Sequence, residues 1–260
     1  MESGLWPELD VAIAAPLFSP SRRFSNTNLE MMDDDKVGQD IRLKASDGFE
    51  LGAYYVDPSG TPKGAIVVIQ EIFGINHHIR SVCDRLAAEG YVAIAPSIFD
   101  RIEPNFTSGY SPDEIANARK FVANPDFPAM LRDIQAAIDA VKDKGPVGII
   151  GFCLGGSIAY AAATKLSGLS AAVGYYGGAI VRFVDDKPAV PTQLHFGEKD
   201  AGIPLSDVET IKAKRPEVEV FVYPGAQHGF HCDERASYDK ASAEIARPRS
   251  LAFFAKHLHQ

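Results

Sequence analysis

The sequence predicts an α/β domain built on a mostly parallel, doubly wound sheet with helices on both faces. Three observations predict it. Apolar runs rich in β-branched residues occur, such as Ala65-Ile66-Val67-Val68-Ile69; amphipathic helical stretches alternate with those runs; and no internal repeat or low-complexity tract interrupts them. A strand apolar on both faces is covered on both sides, as in the middle of a parallel sheet. Strand–helix alternation joins such strands by right-handed crossovers.

The chain begins differently. Pro7, Pro16, Pro20, the cluster Ser25-Asn26-Thr27-Asn28 and the acidic run Asp33-Asp34-Asp35 predict, over residues 1–38, either an irregular arm packed on the body through Leu17 and Phe18 or a partly disordered tail, ahead of one domain over 39–260. From Asp40 a strand pair begins: Ile41 and Leu43 alternate with charged neighbours, and Asp47-Gly48 turns the chain into Phe49–Val56. After the strand at Ala65–Ile69, apolar residues at helical spacing predict a helix over His78–Glu89, stopped by Gly90. Tyr91–Ala95 reads as a strand. Ser111 caps a helix with Pro112 in its first turn. Further helices are expected over Phe127–Lys144, Gly155–Lys165, Leu205–Lys214 and Tyr238–His257, and strands over Val147–Phe152, Ala171–Tyr175, Thr192–Phe196 and Val218–Tyr223.

Composition narrows the function classes. With 46% hydrophobic and 23% charged residues the chain is not disordered as a whole. A formal net charge of −8 leaves no footprint for nucleic acid or an anionic membrane, so a site for an anionic ligand has to be a local gathering of arginines. Cys83, Cys153 and Cys232 contain no C-x-x-C pair, which argues against a disulfide framework or a zinc set and for a reducing compartment. The start Met1-Glu2-Ser3-Gly4 carries acids at Glu8 and Asp10, and Val11–Phe18 is short and broken by Pro16. No signal peptide or membrane span is expected, and the location expected is cytoplasmic.

The strongest chemical signal is Gly151-Phe152-Cys153-Leu154-Gly155-Gly156, directly after the strand Val147–Phe152 and before a helix. A nucleophile on so tight a bend needs small residues two positions to either side, and Gly151 and Gly155 meet that need with sulfur in place of the usual oxygen. The bend sets the Leu154 N–H and the helix start beside the sulfur, where both favour a thiolate and a developing oxyanion. An isolated cysteine would more often be a packed core residue. Cys83 reads that way, and Cys232 is left open.

In an α/β-hydrolase fold the partners follow in the order acid, then histidine, on loops after later strands. Glu198-Lys199-Asp200 follows the strand ending at Phe196, and Gln227-His228-Gly229 follows the strand ending at Tyr223. Asp200 is therefore the expected orienter and His228 the expected base. Glu198 and His231 are their rivals, His195 reads as a core histidine within a strand, and His257 and His259 read as solvated tail residues.

These residues resemble the dienelactone hydrolase (carboxymethylenebutenolidase) family of α/β-hydrolases. The resemblance runs over about residues 40–258 and is carried by Gln70-Glu71-Ile72-Phe73-Gly74, Pro96-Ser97-Ile98-Phe99-Asp100-Arg101, the cysteine motif, Gly197-Glu198-Lys199-Asp200, His228-Gly229-Phe230 and Asp233-Glu234-Arg235-Ala236-Ser237-Tyr238-Asp239. It implies that Glu71 contacts the resting thiol and takes part in its activation, that the Ile72 and Leu154 N–H groups form the oxyanion hole, and that Arg101 grips a substrate carboxylate. The alternatives are a solvent-facing strand-end glutamate and a surface arginine beside Asp100 and Glu103. The family's arginine four residues beyond the catalytic histidine is Cys232 here, which removes a partner for Glu71 and part of an anion site. Arg235, three residues on, is the candidate replacement. This departure weakens the inference to a dienelactone substrate more than the inference to hydrolase chemistry.

The mechanism expected is attack by the Cys153 thiolate, an acyl-thioester intermediate and deacylation by water activated at His228, with no metal or organic cofactor. The partner expected is a small-molecule ester or lactone, including anionic ones, with no nucleic acid or membrane involved; the protein is expected as a monomer or small homo-oligomer. A broad carboxylesterase or thioesterase on the same triad, and a non-catalytic ligand binder of this fold, are the competing readings. A dinucleotide binder would need a glycine-rich loop after its first strand, and residues 70–76 hold only Gly74.

Overall fold

The computed structural model describes residues 38–258, so residues 1–37 of the expected arm, and His259 of the tail, lie outside the described residues. In chain order the strands are β1 (Gln39–Lys44), β2 (Glu50–Val56), β3 (Ala65–Ile69), β4 (Val92–Pro96), β5 (Val147–Phe152), β6 (Leu169–Tyr175), β7 (Thr192–Gly197) and β8 (Glu219–Tyr223). They form one sheet in the order β1-β2-β4-β3-β5-β6-β7-β8. The β1–β2 hairpin and the β2–β4 pair are antiparallel and every other pair is parallel. This is the mostly parallel, doubly wound α/β sheet that the alternating pattern predicts.

The helices are α1 (His77–Ala88), α2 (Pro112–Arg119), α3 (Phe127–Val141), α4 (Leu154–Lys165), α5 (Ile180–Phe183), α6 (Leu205–Lys214) and α7 (Lys240–His257). Every residue of β3 and β5 is buried, as two-sided cover requires. Residues Val82 and Leu86 of α1 and Leu251 and Phe254 of α7 line a small cavity with Ile150, Phe152 and Tyr175. Gly148 has no side chain because Phe254 occupies its place: a Cβ there would lie 2.7 Å from the Phe254 ring. Met130, Ile134, Ala137, Ile138 and Val141 form the buried stripe of α3. Cys83 is buried in α1 in the packing role read for it, and burial pushes its thiol pKa up.

Boundary differences have local causes. Asp239 accepts a hydrogen bond from Ser242 N at 2.8 Å, so α7 starts at Lys240 and not at Tyr238. The helix expected to run to Lys144 tightens into a 3-10 turn over Lys142–Lys144. The four-residue α5 is too short to leave a periodic signature. Among the described residues no helix is long and apolar enough to cross a membrane.

Candidate active site

Four of the expected site residues follow the carboxyl ends of parallel strands: Glu71 after β3, Cys153 after β5, Asp200 after β7 and His228 after β8. Cys153 is held at φ 56°, ψ −114°, a left-handed conformation that an L-residue rarely adopts and that persists only where its surroundings impose it. The surroundings do. A Cβ on Gly151 would lie 1.9 Å from the Gly155 carbonyl oxygen, and one on Gly155 would lie 2.4 Å from that of Ile69. The two glycines let the strand end and helix start pass close enough to force the bend. Cys153 is 8% exposed and opens on a cavity of about 80 Å³, shared with Ile72, Phe73, His228 and Arg235 among others. Among the described residues neither Ile72 N–H nor Leu154 N–H has a protein acceptor, which leaves both donors available beside the sulfur.

His228 Nδ1 lies 2.7 Å from Asp200 Oδ2, while Asp200 Oδ1 accepts the Gly202 N–H at 2.9 Å. The carboxylate is thereby fixed on both oxygens, and its side chain is fully buried. Burial works against protonation of His228, but the charge of the Cys153 sulfur, the hydrogen bonds to Asp200 and Cys153, and the charge of Asp200 outweigh it and raise the imidazole pKa to about 10. The rivals are placed elsewhere. His231 stacks on Phe152 at 5.6 Å, lines a separate cavity between α1 and α7, and is driven down to about 3 by burial. Glu198 accepts from Gly225 N. His195 is fully buried, with Nδ1 2.7 Å from the Tyr223 hydroxyl and Nε2 2.9 Å from Gln193 Oε1.

Glu71 is 1% exposed. Its carboxylate accepts hydrogen bonds from Arg235 Nη1 at 2.8 Å and from the Tyr110 hydroxyl at 3.4 Å; among the described residues it makes none with Cys153. Arg235 does supply the cation that Cys232 does not. Its guanidinium fits because Gly229 is bare: a Cβ there would lie 2.6 Å from Arg235 Nη1, and Gly229 also has φ +77°. Cys232 is buried, with its sulfur 3.3 Å from the Tyr110 hydroxyl.

The expectation for Arg101 is corrected. It does not line the cavity. Its guanidinium grips the buried carboxylate of Asp133 at 2.7 and 2.9 Å, bonds Asp47 at 2.9 Å and lies 4.3 Å from the Phe49 ring centroid. Nor are Asp100 and Glu103 its partners: Asp100 instead accepts backbone N–H groups of Gly52 and Asn105. The arginine that reaches the cavity beside Arg235 is Arg119, at the last turn of α2, exposed and without an ion-pair partner among the described residues. The sequence marks it only as a helix-end cation. Tyr176 was also missed: its ring centroid lies 5.1 Å from that of His228, and its buried hydroxyl has no partner among the described residues.

Known proteins resemble this chain in sequence and fold. A family model described as "Dienelactone hydrolase family" matches residues 51–258. A carboxymethylenebutenolidase from Pseudomonas putida is 32% identical over 226 residues, covering 83% of this chain and 95% of its own. A protein provisionally named carboxymethylenebutenolidase from Synechocystis is 37% identical, covering 80% and 93%. Among solved structures, one provisionally named dienelactone hydrolase from Klebsiella pneumoniae superposes with a TM-score of 0.73 at 32% identity, covering 84% of this chain and 98% of its own.

Proposed function

Because the chain belongs to the dienelactone hydrolase family and is a carboxylic ester hydrolase, we propose that it opens a lactone or ester through Cys153, His228 and Asp200 by way of an acyl-thioester. The observation that carries this reading is the strained Cys153 on the floor of a cavity that also holds His228, itself 2.7 Å from Asp200. The thiolate adds to the substrate carbonyl, and the oxyanion is held by the Ile72 and Leu154 N–H groups. The leaving oxygen takes a proton from His228, leaving the acyl group on sulfur. Water, deprotonated by His228, then releases the acid and the free thiol. Asp200 keeps the proton on Nδ1 so that Nε2 faces the reacting atoms.

Glu71 is the group whose role shifts most. A carboxylate beside a thiol disfavours the thiolate by repulsion, and pairing with Arg235 offsets that charge. The pair thus tunes the nucleophile without needing to touch it in the resting enzyme. Arg235 and Arg119 supply the local positive charge for an anionic substrate, small enough for a cavity walled by Ile72, Phe73, Ile115, Val122 and Ile203. A cytoplasmic location fits three unpaired thiols.

Mass spectrometry of the protein quenched during turnover of an activated aryl ester tests the reading. An acyl adduct on Cys153, lost in Cys153→Ala together with turnover, is expected; undiminished turnover by Cys153→Ala refutes it. A panel of cis- and trans-dienelactone, aryl esters and thioesters then ranks substrates. A preference for neutral thioesters over carboxylate-bearing lactones would favour the broad thioesterase reading.

A further inference from the structure

Behind the Glu71–Arg235 pair lies a cluster that the proposed hydrolysis leaves unused. One potential ligand atom from each of Glu71, His78 and Cys232 lies within 4.8 Å of the others, and all three residues are buried. His78 adds an independent observation. Its ring is fully enclosed, yet neither nitrogen has a hydrogen-bond partner among the described residues. Buried imidazole nitrogens are ordinarily satisfied; here Nδ1 has only the Asp233 carboxylate at 3.5 Å, too long for a good hydrogen bond, and Nε2 has none, so the ring calls for a further partner.

We propose that Glu71, His78 and Cys232 bind a zinc-class divalent cation. Thiolate, imidazole and carboxylate together suit zinc and its neighbours, whereas magnesium and calcium select oxygen alone. Bonds of about 2.0–2.3 Å in a tetrahedron set ligand atoms roughly 3.5 Å apart, so a contraction of about an ångström closes this set and leaves the fourth position to water. Binding takes the proton from the Cys232 thiol and passes it to solvent; nothing is oxidised or reduced. The two anionic ligands then balance the charge of the ion. The Tyr110 hydroxyl, 3.3 Å from Cys232 Sγ and 3.4 Å from Glu71 Oε2, is set to orient both.

His78 Nδ1 is 3.5 Å from Asp233 Oδ1, and Asp233 and Glu234, both exposed, form a second potential ligand group with the same imidazole. The three buried ligands come from the β3 end, α1 and the β8 loop, which is why no short cysteine–histidine spacing announces them in sequence. Occupation would draw Glu71 from Arg235 and so inhibit turnover. That consequence rests on the role proposed for Glu71; the binding itself does not.

Cobalt(II) titration of the wild-type and Cys153→Ser proteins, followed by absorption, tests the site independently of catalysis. One equivalent is expected to bind both with a thiolate-to-cobalt charge-transfer band, displaced by zinc. The band is expected to vanish in Cys153→Ser/Cys232→Ser, and affinity to fall at least tenfold in Cys153→Ser/His78→Phe, with thermal melts showing each protein folded. His78→Gln and Cys232→Ala stand in for any variant that does not fold. No band in the Cys153→Ser protein, or a band indifferent to residue 232 or residue 78, overturns the proposal. Retention of ester turnover by Cys153→Ala would instead strike the hydrolase mechanism and leave the cobalt result standing.

Discussion

The Arg235 guanidinium lies 2.8 Å from the Glu71 carboxylate, joining residues 164 positions apart at the edge of the cavity that Cys153 and His228 line. Removing one partner strands the other charge in a place with little water. Arg235→Ala is expected to cost about 3 kcal/mol of folding stability, more than an exposed ion pair is worth. Urea denaturation measures it, and a loss of a few tenths would show the pair to be solvated.

Asp200→Asn is expected to leave the fold intact and lower kcat by roughly 10³- to 10⁴-fold, because the amide reverses the tautomer that His228 needs. Steady-state kinetics beside a thermal melt separates this from unfolding.

Arg119→Gln is expected to reduce kcat/KM for a carboxylate-bearing lactone by roughly tenfold or more, about the worth of one charge-assisted contact, and to spare a neutral aryl ester. Arg101→Gln should do the opposite: stability falls because Asp133 loses its partner, while the ratio of the two kcat/KM values stays constant. A changed ratio in Arg101→Gln would return that residue to the substrate.

Gly151→Ala is expected to abolish activity, since its Cβ would lie 1.9 Å from the Gly155 carbonyl oxygen and the bend cannot form around it. Circular dichroism and turnover together report whether the elbow or the whole domain fails. Full activity in this variant would mean that the bend relaxes at no cost.

Stability is expected to fall on both sides of neutrality. Burial lowers the His231 pKa from 6.5 to about 3, so the unfolded chain binds the extra proton first and stability declines as pH drops from about 6.5 toward 3. His228 runs the other way: its pKa is raised from 6.5 to about 10, so its contribution is complete below 6.5 and disappears as pH climbs through 10. Melting temperatures from pH 4 to 10.5 check both arms. His231→Phe should flatten the acid arm alone.

How much of this was legible in the sequence follows from the range of each interaction. The convergence of Cys153, Asp200 and His228 is legible because each follows its own strand end, with a glycine within two residues. Arg101 misled because its partners Asp47 and Asp133 lie 54 and 32 positions away, and nothing local reveals that its charge is already taken. Arg119 was missed for the converse reason. An arginine ending a short helix looks alike whether that helix faces solvent or roofs a cavity. The sequence places His78 at the start of α1, but nothing local shows that the fold encloses its ring without a hydrogen-bond partner and brings Glu71 and Cys232 near it.

The bare Cα of Gly229 and the guanidinium that fills its space tie together two positions six residues apart. A side chain acquired at 229 would evict Arg235 and leave Glu71 without that counter-ion, so position 229 is tied to position 235. Among descendants of this chain, a side chain at 229 should be found only where 235 has changed as well.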